Sequence, residues 1–241
     1  MGRRTRMREN QRRTSIRNRM VTIFVIVTST LLLGYIFIYP SIKPIGEIEI
    51  PEFHDYPLVE GRAMGDPNAP VTIEVFEDFQ CPGCVGYTFG AELQIADTYV
   101  ASGDVYYIFQ HYPFLDDNAP GDESDQSAIA SMCAADQGRF WEYHSILYAN
   151  WNGQNEGALN NRRLVAFAET LGLDMTEFNS CFNSRMHYDE IMQDFQRGKI
   201  MGVRGTPSVF INGEIIMPGY VPTFEAIREI VDPLLAEGDS P

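Results

Sequence analysis

The chain has 241 residues, of which 44% are hydrophobic, enough for one packed domain of ordinary size plus a short targeting segment. Eight arginines against Glu9 give the first 19 residues a net charge of +7, whereas the rest carries ten basic and thirty-two acidic residues, net −22. So acidic a body argues against nucleic-acid binding. Its acids read as a solvated surface, and the basic N-terminus stands as a separate electrostatic object.

From Val21 to Tyr39 runs an uncharged apolar stretch whose nineteen residues, at about 1.5 Å each, nearly match a bilayer core of roughly 30 Å. It predicts a single transmembrane helix. The arginines before it and the lone Lys43 after it place residues 1–20 in the cytoplasm and the acidic domain outside, by the positive-inside rule. A cleaved signal peptide is the rival, but the run ends Tyr35-Ile36-Phe37-Ile38-Tyr39-Pro40 without a small-x-small site, which favours a retained anchor. Residues 40–65 hold Pro40, Pro44, Pro51 and Pro57 with Gly46, Gly61 and Gly65, punctuation that reads as a tether. Within it, the alternation from Ile45 to Ile50 predicts a short edge strand.

From residue 66 to the C-terminus the pattern is that of an α/β domain. Val71 to Glu77 reads as a strand, Cys84 to about Ala101 as a helix, and Asp104 to Tyr112 as a second strand. An Asp/Gly/Pro-rich loop over Leu115 to Gly121 follows. Helices are then predicted near 123–136, 139–149, 161–171, 174–182 and 185–201, a helical insertion spanning about 116–201. Strand character resumes at Pro207-Ser208-Val209-Phe210-Ile211, turns at Asn212-Gly213 and pairs back through Glu214 to Met217, a strong hairpin signal. A last helix from Thr223 to about Leu235, capped by Thr223 behind Pro222, covers the sheet.

Cys81-Pro82-Gly83-Cys84 sits between the first strand and the first helix, on the outward side of the predicted anchor. Two cysteines at this spacing can close a short disulfide, and the N–H groups at a helix N-terminus stabilise a thiolate. That makes Cys81 the candidate nucleophile and Cys84, one turn inside, the resolving thiol. Half a zinc site is the competing reading. No second Cys-x-x-Cys or Cys-x-x-His accompanies it, and His54, His111, His144 and His187 show no ligand spacing, so no metal is expected. Cys133 and Cys181 lie in different predicted helices of the insertion. Outside the cytoplasm an even cysteine count favours pairing, so a structural disulfide between them is expected, with two buried free thiols as the alternative.

The order of elements, together with Glu77-Asp78-Phe79-Gln80-Cys81-Pro82-Gly83-Cys84, Gln110-His111-Tyr112-Pro113-Phe114, Gly138-Arg139-Phe140-Trp141-Glu142-Tyr143-His144 and Gly202-Val203-Arg204-Gly205-Thr206-Pro207, resembles the DsbA-like thiol:disulfide oxidoreductases, most closely their membrane-anchored branch. The resemblance covers about residue 66 to the C-terminus. It implies a thioredoxin-like fold with an inserted helical subdomain, and a redox-active Cys81–Cys84 disulfide with no other cofactor. It also implies a Thr206–cis-Pro207 element beside the dithiol that pairs with substrate peptide, and structural roles for His111 and His144. Pro82-Gly83 differs from the Pro-His of strong oxidases and the Gly-Pro of thioredoxins, and these two residues tune redox potential in the family. The buried carboxylate common in such enzymes falls on Val75, with Glu74 one residue earlier and so on the opposite strand face. Glu74, Glu77 and Asp78 are the proton-transfer candidates, with Glu77 or Asp78, or water alone, left to assist if Glu74 points away, against a plainer reading of all three as surface or loop-capping acids.

The resulting expectation is an extracytoplasmic enzyme that introduces disulfides into reduced or unfolded secreted proteins and is reoxidised by a DsbB- or VKOR-like membrane protein. Reversed electron flow, in a reductase or isomerase such as one serving cytochrome maturation, is the alternative. A non-catalytic module with a structural bridge comes after it.

Overall fold

The structure, a computed structural model, describes residues 2–42, 44–118 and 121–238. Lys43, from the charge asymmetry around the predicted span, and Ala119 and Pro120, from the predicted loop, lie outside the described residues. The chain divides into two compact units, Met1–Gly46 and Glu47–Pro241.

The first unit is one helix, α1 (Gly2–Ile42), within which Arg12–Tyr39 is long and apolar enough to cross a membrane. Threonines inside the apolar stretch turn their hydroxyls back onto the helix. Thr28 Oγ1 donates to the Phe24 carbonyl and Thr30 Oγ1 to that of Ile26, each at 2.9 Å, as an apolar solvent demands.

The second unit is built on a five-stranded sheet in the order β1-β3-β2-β4-β5, with β1 Ala63–Met64, β2 Val71–Glu77, β3 Val105–His111, β4 Ser208–Ile211 and β5 Glu214–Ile216. Only β2 and β3 run parallel; the other pairs are antiparallel. Alternation along β2 sends Ile73 and Val75 into the main core while Phe76 packs with Tyr112, Phe195 and Phe210 on the other face. Burying each such side chain is worth about 1.5–3 kcal/mol.

The edge strand is not where periodicity put it. The segment around Ile45 to Ile50 forms no strand, because side chains of the insertion satisfy its backbone: Asn150 accepts from Glu49 N–H at 3.0 Å and donates to Glu49 O at 2.7 Å, and Arg163 donates to Glu47 O at 3.2 Å. Ala63–Met64 takes the sheet edge instead, pairing with Ile108 and Tyr107. Gly65 follows at φ +94°, where a Cβ would lie 2.5 Å from the Val105 carbonyl oxygen, so only glycine fits. The residues predicted as a tether thus join the domain from Glu47 onward.

Between β2 and β3 runs α2 (82–100), in which the α-helical turns Pro82–Tyr87 and Leu93–Ile95 alternate with π-helical turns Thr88–Glu92 and Ala96–Val100. Beyond Cys84 its buried positions are the pairs 87/88, 91/92, 95/96 and 99/100, a repeat of four residues. An ideal α-helix has 3.6 residues per turn and would rotate such a stripe away from the core, whereas interposed wider turns hold it inward.

The insertion after β3 comprises α3 (Glu123–Ala135), α4 (Phe140–Ala149), α5 (Asn161–Thr170), α6 (Met175–Ser184) and α7 (Tyr188–Met201). Asn160 and Asp174 cap α5 and α6, each side chain accepting from two backbone N–H groups of the first turn. A disulfide joins Cys133 on α3 to Cys181 on α6, with Cα atoms 5.8 Å apart. Gly198 lets α7 lie close on the second face, since a Cβ there would sit 2.8 Å from the Tyr112 ring. The closing helix α8 (Phe224–Gly238) starts with Thr223 Oγ1 accepting from Ala226 N–H at 3.3 Å, and it buries Ile227 and Val231 completely.

Candidate active site

At the C-terminal end of β2 the chain turns sharply through Asp78, Phe79 and Gln80, and polar groups of the helical insertion hold this turn. Asp78 accepts from Gln80 N–H (2.9 Å), Ser124 Oγ (2.7 Å) and Leu115 N–H (3.1 Å). Trp151 Nε1 donates to Gln80 O at 2.8 Å. Phe79 fills the space below, stacked on Phe109 at 5.3 Å between ring centroids. Burial pushes the Asp78 carboxyl up to about 7 against these hydrogen bonds. It is therefore a buried clamp between the two halves of the domain.

Cys81 comes next as the N-cap of α2, in extended conformation, with Pro82 at the first helical position, where its missing N–H costs no hydrogen bond. The predicted helix start at Cys84 is thus two residues late. The Cys81 thiol donates to the Thr206 carbonyl at 3.0 Å, and the residue is 7% exposed, whereas Cys84 is 0% exposed. Both are free thiols. The Thr206–Pro207 peptide is cis. A Cβ on Gly83 would stand 3.1 Å from Val221 Cγ2 and 3.2 Å from Pro207 Cδ, so these residues abut the dithiol closely and would have to shift by a few tenths of an ångström to admit a side chain there.

The two sulfurs differ in charge preference. The Cys81 thiol is pulled down to about 6, first by a hydrogen bond from the Cys84 thiol and then, against partial burial, by the Thr206 side-chain hydroxyl and the N–H groups of Cys84 and Gly83. The Cys84 thiol is pushed well above its ordinary value, first by burial and then by its hydrogen bond to Cys81 and the nearby Glu77 charge.

The three acids singled out from sequence occupy three different settings. Glu74 lies on the other face of β2, bound by both Nη atoms of Arg197 and by Gln110 Nε2, away from the sulfurs. Asp78 clamps the turn. Glu77 is neither a surface nor a loop-capping acid: it is 1% exposed, accepts from Tyr148 OH at 2.9 Å and lies beside the Cys84 thiol. Strand alternation explains this, since Glu77 shares the inward face with Ile73 and Val75. Its carboxyl is pushed well above the usual range by burial first and the Glu92 charge second.

Glu92 is a participant that the sequence reading missed. It sits on the inner face of α2, 0% exposed, accepting from Tyr56 OH and Tyr107 OH at 3.0 Å each, with burial pushing its carboxyl up to about 8. The signal was available: Glu92 is the one charged residue among the pairs that repeat every four positions along α2. His144 completes the cluster, its Nε2 3.7 Å from Glu92 Oε2. Burial lowers both His144, to about 3, and His111, which keeps the two rings neutral. Glu77, Glu92 and His144 bring one side-chain oxygen or nitrogen each within 4.8 Å of one another.

A sequence profile described as Thioredoxin matches residues 58–233. The chain is 25% identical over 175 residues to the "probable disulfide bond formation protein D" of Bacillus anthracis, covering 71% of this chain and 76% of that one. It is 34% identical over 152 residues to Na(+)/H(+) antiporter NhaA 3 of Salinispora tropica, but spans only 22% of that protein's length. Among solved structures, oxidised BdbD from Bacillus subtilis superposes with a TM-score of 0.64 at 19% identity, covering 76% of this chain and 98% of that one. Wolbachia pipientis alpha-DsbA1 gives 0.62 at 22%, covering 76% and 94%.

Proposed function

The chain belongs to the thioredoxin family, and on that premise we propose that it is a DsbA-like thiol:disulfide oxidoreductase working through Cys81 and Cys84. One observation carries the reading: the better exposed sulfur caps the N-terminus of α2, whose N–H groups favour its anion, while its neighbour is fully buried one turn inside, which favours the thiol. In the oxidising direction a substrate thiolate attacks Cys81 Sγ of the Cys81–Cys84 disulfide, and Cys84 leaves with the bond's electron pair and takes up a proton. A second substrate thiolate then attacks the mixed disulfide, so the substrate gains a disulfide and Cys81 leaves as a thiolate. Thr206 and Pro207, against Gly83 and the Cys81 sulfur, are the proposed seat for the incoming peptide.

In this reading the substrates are reduced secreted proteins and the reoxidant is a DsbB- or VKOR-like membrane protein. α1 is the anchor, with its arginine-rich end in the cytoplasm and the domain from Glu47 onward outside. The apolar stretch within α1 and the charge asymmetry around it support that orientation.

The lowered Cys81 pKa also sets how the reduced form depends on pH. Because it lies below the ordinary value of 9.0, its contribution to the stability of the dithiol is complete above pH 9 and disappears as the pH falls through about 6. At pH 7 one pH unit separates the medium from that pKa, which favours the reduced form by about 1.4 kcal/mol and raises the potential by about 30 mV. Reduction takes up two protons below pH 6 and one above it. The potential of the couple is therefore expected to fall by about 59 mV per pH unit below pH 6 and about 30 mV per unit above it. Equilibration with glutathione across pH 5–8 measures this, and a single slope of about 59 mV throughout would reject the ionised nucleophile. The same titration gives direction of flow: a value near DsbA's, about −120 mV, supports the oxidase, and one near thioredoxin's, about −270 mV, the reductase.

A further inference from the structure

Glu77 and Glu92 are both fully enclosed, and among the described residues neither forms an ion pair with an arginine or lysine. Two carboxylates so close in a low dielectric cannot both ionise, so the pair retains a proton. One end of the pair meets the Cys84 thiol. At the other end, Tyr56 OH donates to Glu92 Oε1, and Tyr56 also lines a surface cavity of about 120 Å³ together with His54, Asp55, Val59, Trp141 and Glu142. That cavity shares no lining residue with Thr206, Pro207 and Val221, which crowd the dithiol. Between the two ends, Glu77 Oε1 and both ring nitrogens of His144 are buried without a hydrogen-bond partner, poised to bridge the carboxylates.

From this arrangement we infer that Glu77, Glu92 and Tyr56 form a proton path joining Cys84 to the cavity at Tyr56, so the resolving thiol exchanges its proton through the core while a peptide covers Cys81. This rests on the thiol chemistry proposed above. When Cys84 leaves as a thiolate it takes the proton of Glu77, which is replaced from Glu92. Glu92 in turn takes the Tyr56 hydroxyl proton as that oxygen accepts one from cavity water. When Cys84 attacks a mixed disulfide, every transfer runs in reverse. The other groups facing the pair are the hydroxyls of Tyr87, Tyr107 and Tyr148, the His144 ring and the Cys81 sulfur; His54, 3.1 Å from Asp97, stands at the mouth. Tyr107 donates to Glu92 as Tyr56 does but is 0% exposed and does not line the cavity, which makes it an internal control.

The test uses the reduced full-length chain in detergent and a short single-cysteine peptide activated as its thionitrobenzoate disulfide. Attack by Cys81 releases the coloured anion and leaves the peptide on Cys81; attack by Cys84 on Cys81 Sγ then expels the peptide thiol, followed by mass after acid quenching. Tyr56→Phe and Glu92→Gln are expected to leave colour release within about twofold of wild type but slow peptide release by about tenfold at pH 7, a modest part of the roughly 10²–10⁴-fold open to proton transfer. In both, peptide release should regain speed as the pH rises, because hydroxide replaces the path, while Tyr107→Phe keeps both rates within about twofold. Wild-type peptide release in Tyr56→Phe, or equal slowing in Tyr107→Phe, would overturn the path. No colour release from wild type would overturn the thiol chemistry beneath it.

Discussion

Cys81→Ser is expected to eliminate disulfide exchange, lowering the rate of oxidising a reduced cysteine-rich protein by on the order of 10⁴-fold or more, to the uncatalysed background. The other thiol cannot stand in for it. Cys84 is completely buried and its pKa is pushed up, so it offers neither access nor thiolate. Cys84→Ser behaves differently: Cys81 keeps its helix N-terminus, still attacks disulfides and accumulates as a mixed disulfide with substrate, visible on a non-reducing gel. Appreciable exchange by Cys81→Ser would mean that another group carries the chemistry. In that event the Cys81–Cys84 pair is structural.

Removing the second cysteine pair acts on stability and spares the chemistry. The Cys133–Cys181 bridge closes a separation of 48 residues, for which the chain-entropy estimate is about 4 kcal/mol. It ties α3, which supplies Ser124 to the Asp78 clamp, to α6, well away in sequence from the dithiol. Cys133→Ala with Cys181→Ala is expected to lower the unfolding free energy in urea by about that amount, with the slope m nearly unchanged and the Cys81 attack rate within about twofold of wild type. Both sulfurs are buried, so the bridge should also survive reductant that opens Cys81–Cys84. A loss below about 1 kcal/mol would mean that the insertion is held by packing alone.

What could be read from the sequence was whatever obeys a simple period. The alternation of Val71-Thr72-Ile73-Glu74-Val75-Phe76-Glu77 placed β2 at its observed limits, and Asn212-Gly213 marked the turn between β4 and β5. Two kinds of feature escaped. The stretch from Ile45 to Ile50 alternates like a strand, but pairing depends on a free edge, and side chains of Asn150 and Arg163, a hundred residues on, already occupy its backbone. Ala63–Met64, which holds the edge, is too short to show a pattern. Inside the candidate site, the placement of Cys81 and Cys84 at a helix N-terminus was legible because it follows from their spacing and from the strand that ends just before them. The alternation of β2 puts Glu77 inward with Ile73 and Val75, but nothing local says that Tyr148 waits there to hydrogen-bond a buried carboxyl at the strand's end. Glu92 was lost to an assumed 3.6-residue period, where the four-residue repeat of α2 keeps it inward.

The most direct measurement is the ionisation of Cys81 itself, followed by thiolate ultraviolet absorbance and by the pH dependence of its alkylation, with Cys84→Ser as a check on which sulfur reports. A midpoint of about 6 is the expected result. A midpoint at the ordinary thiol value of 9.0 would contradict the account.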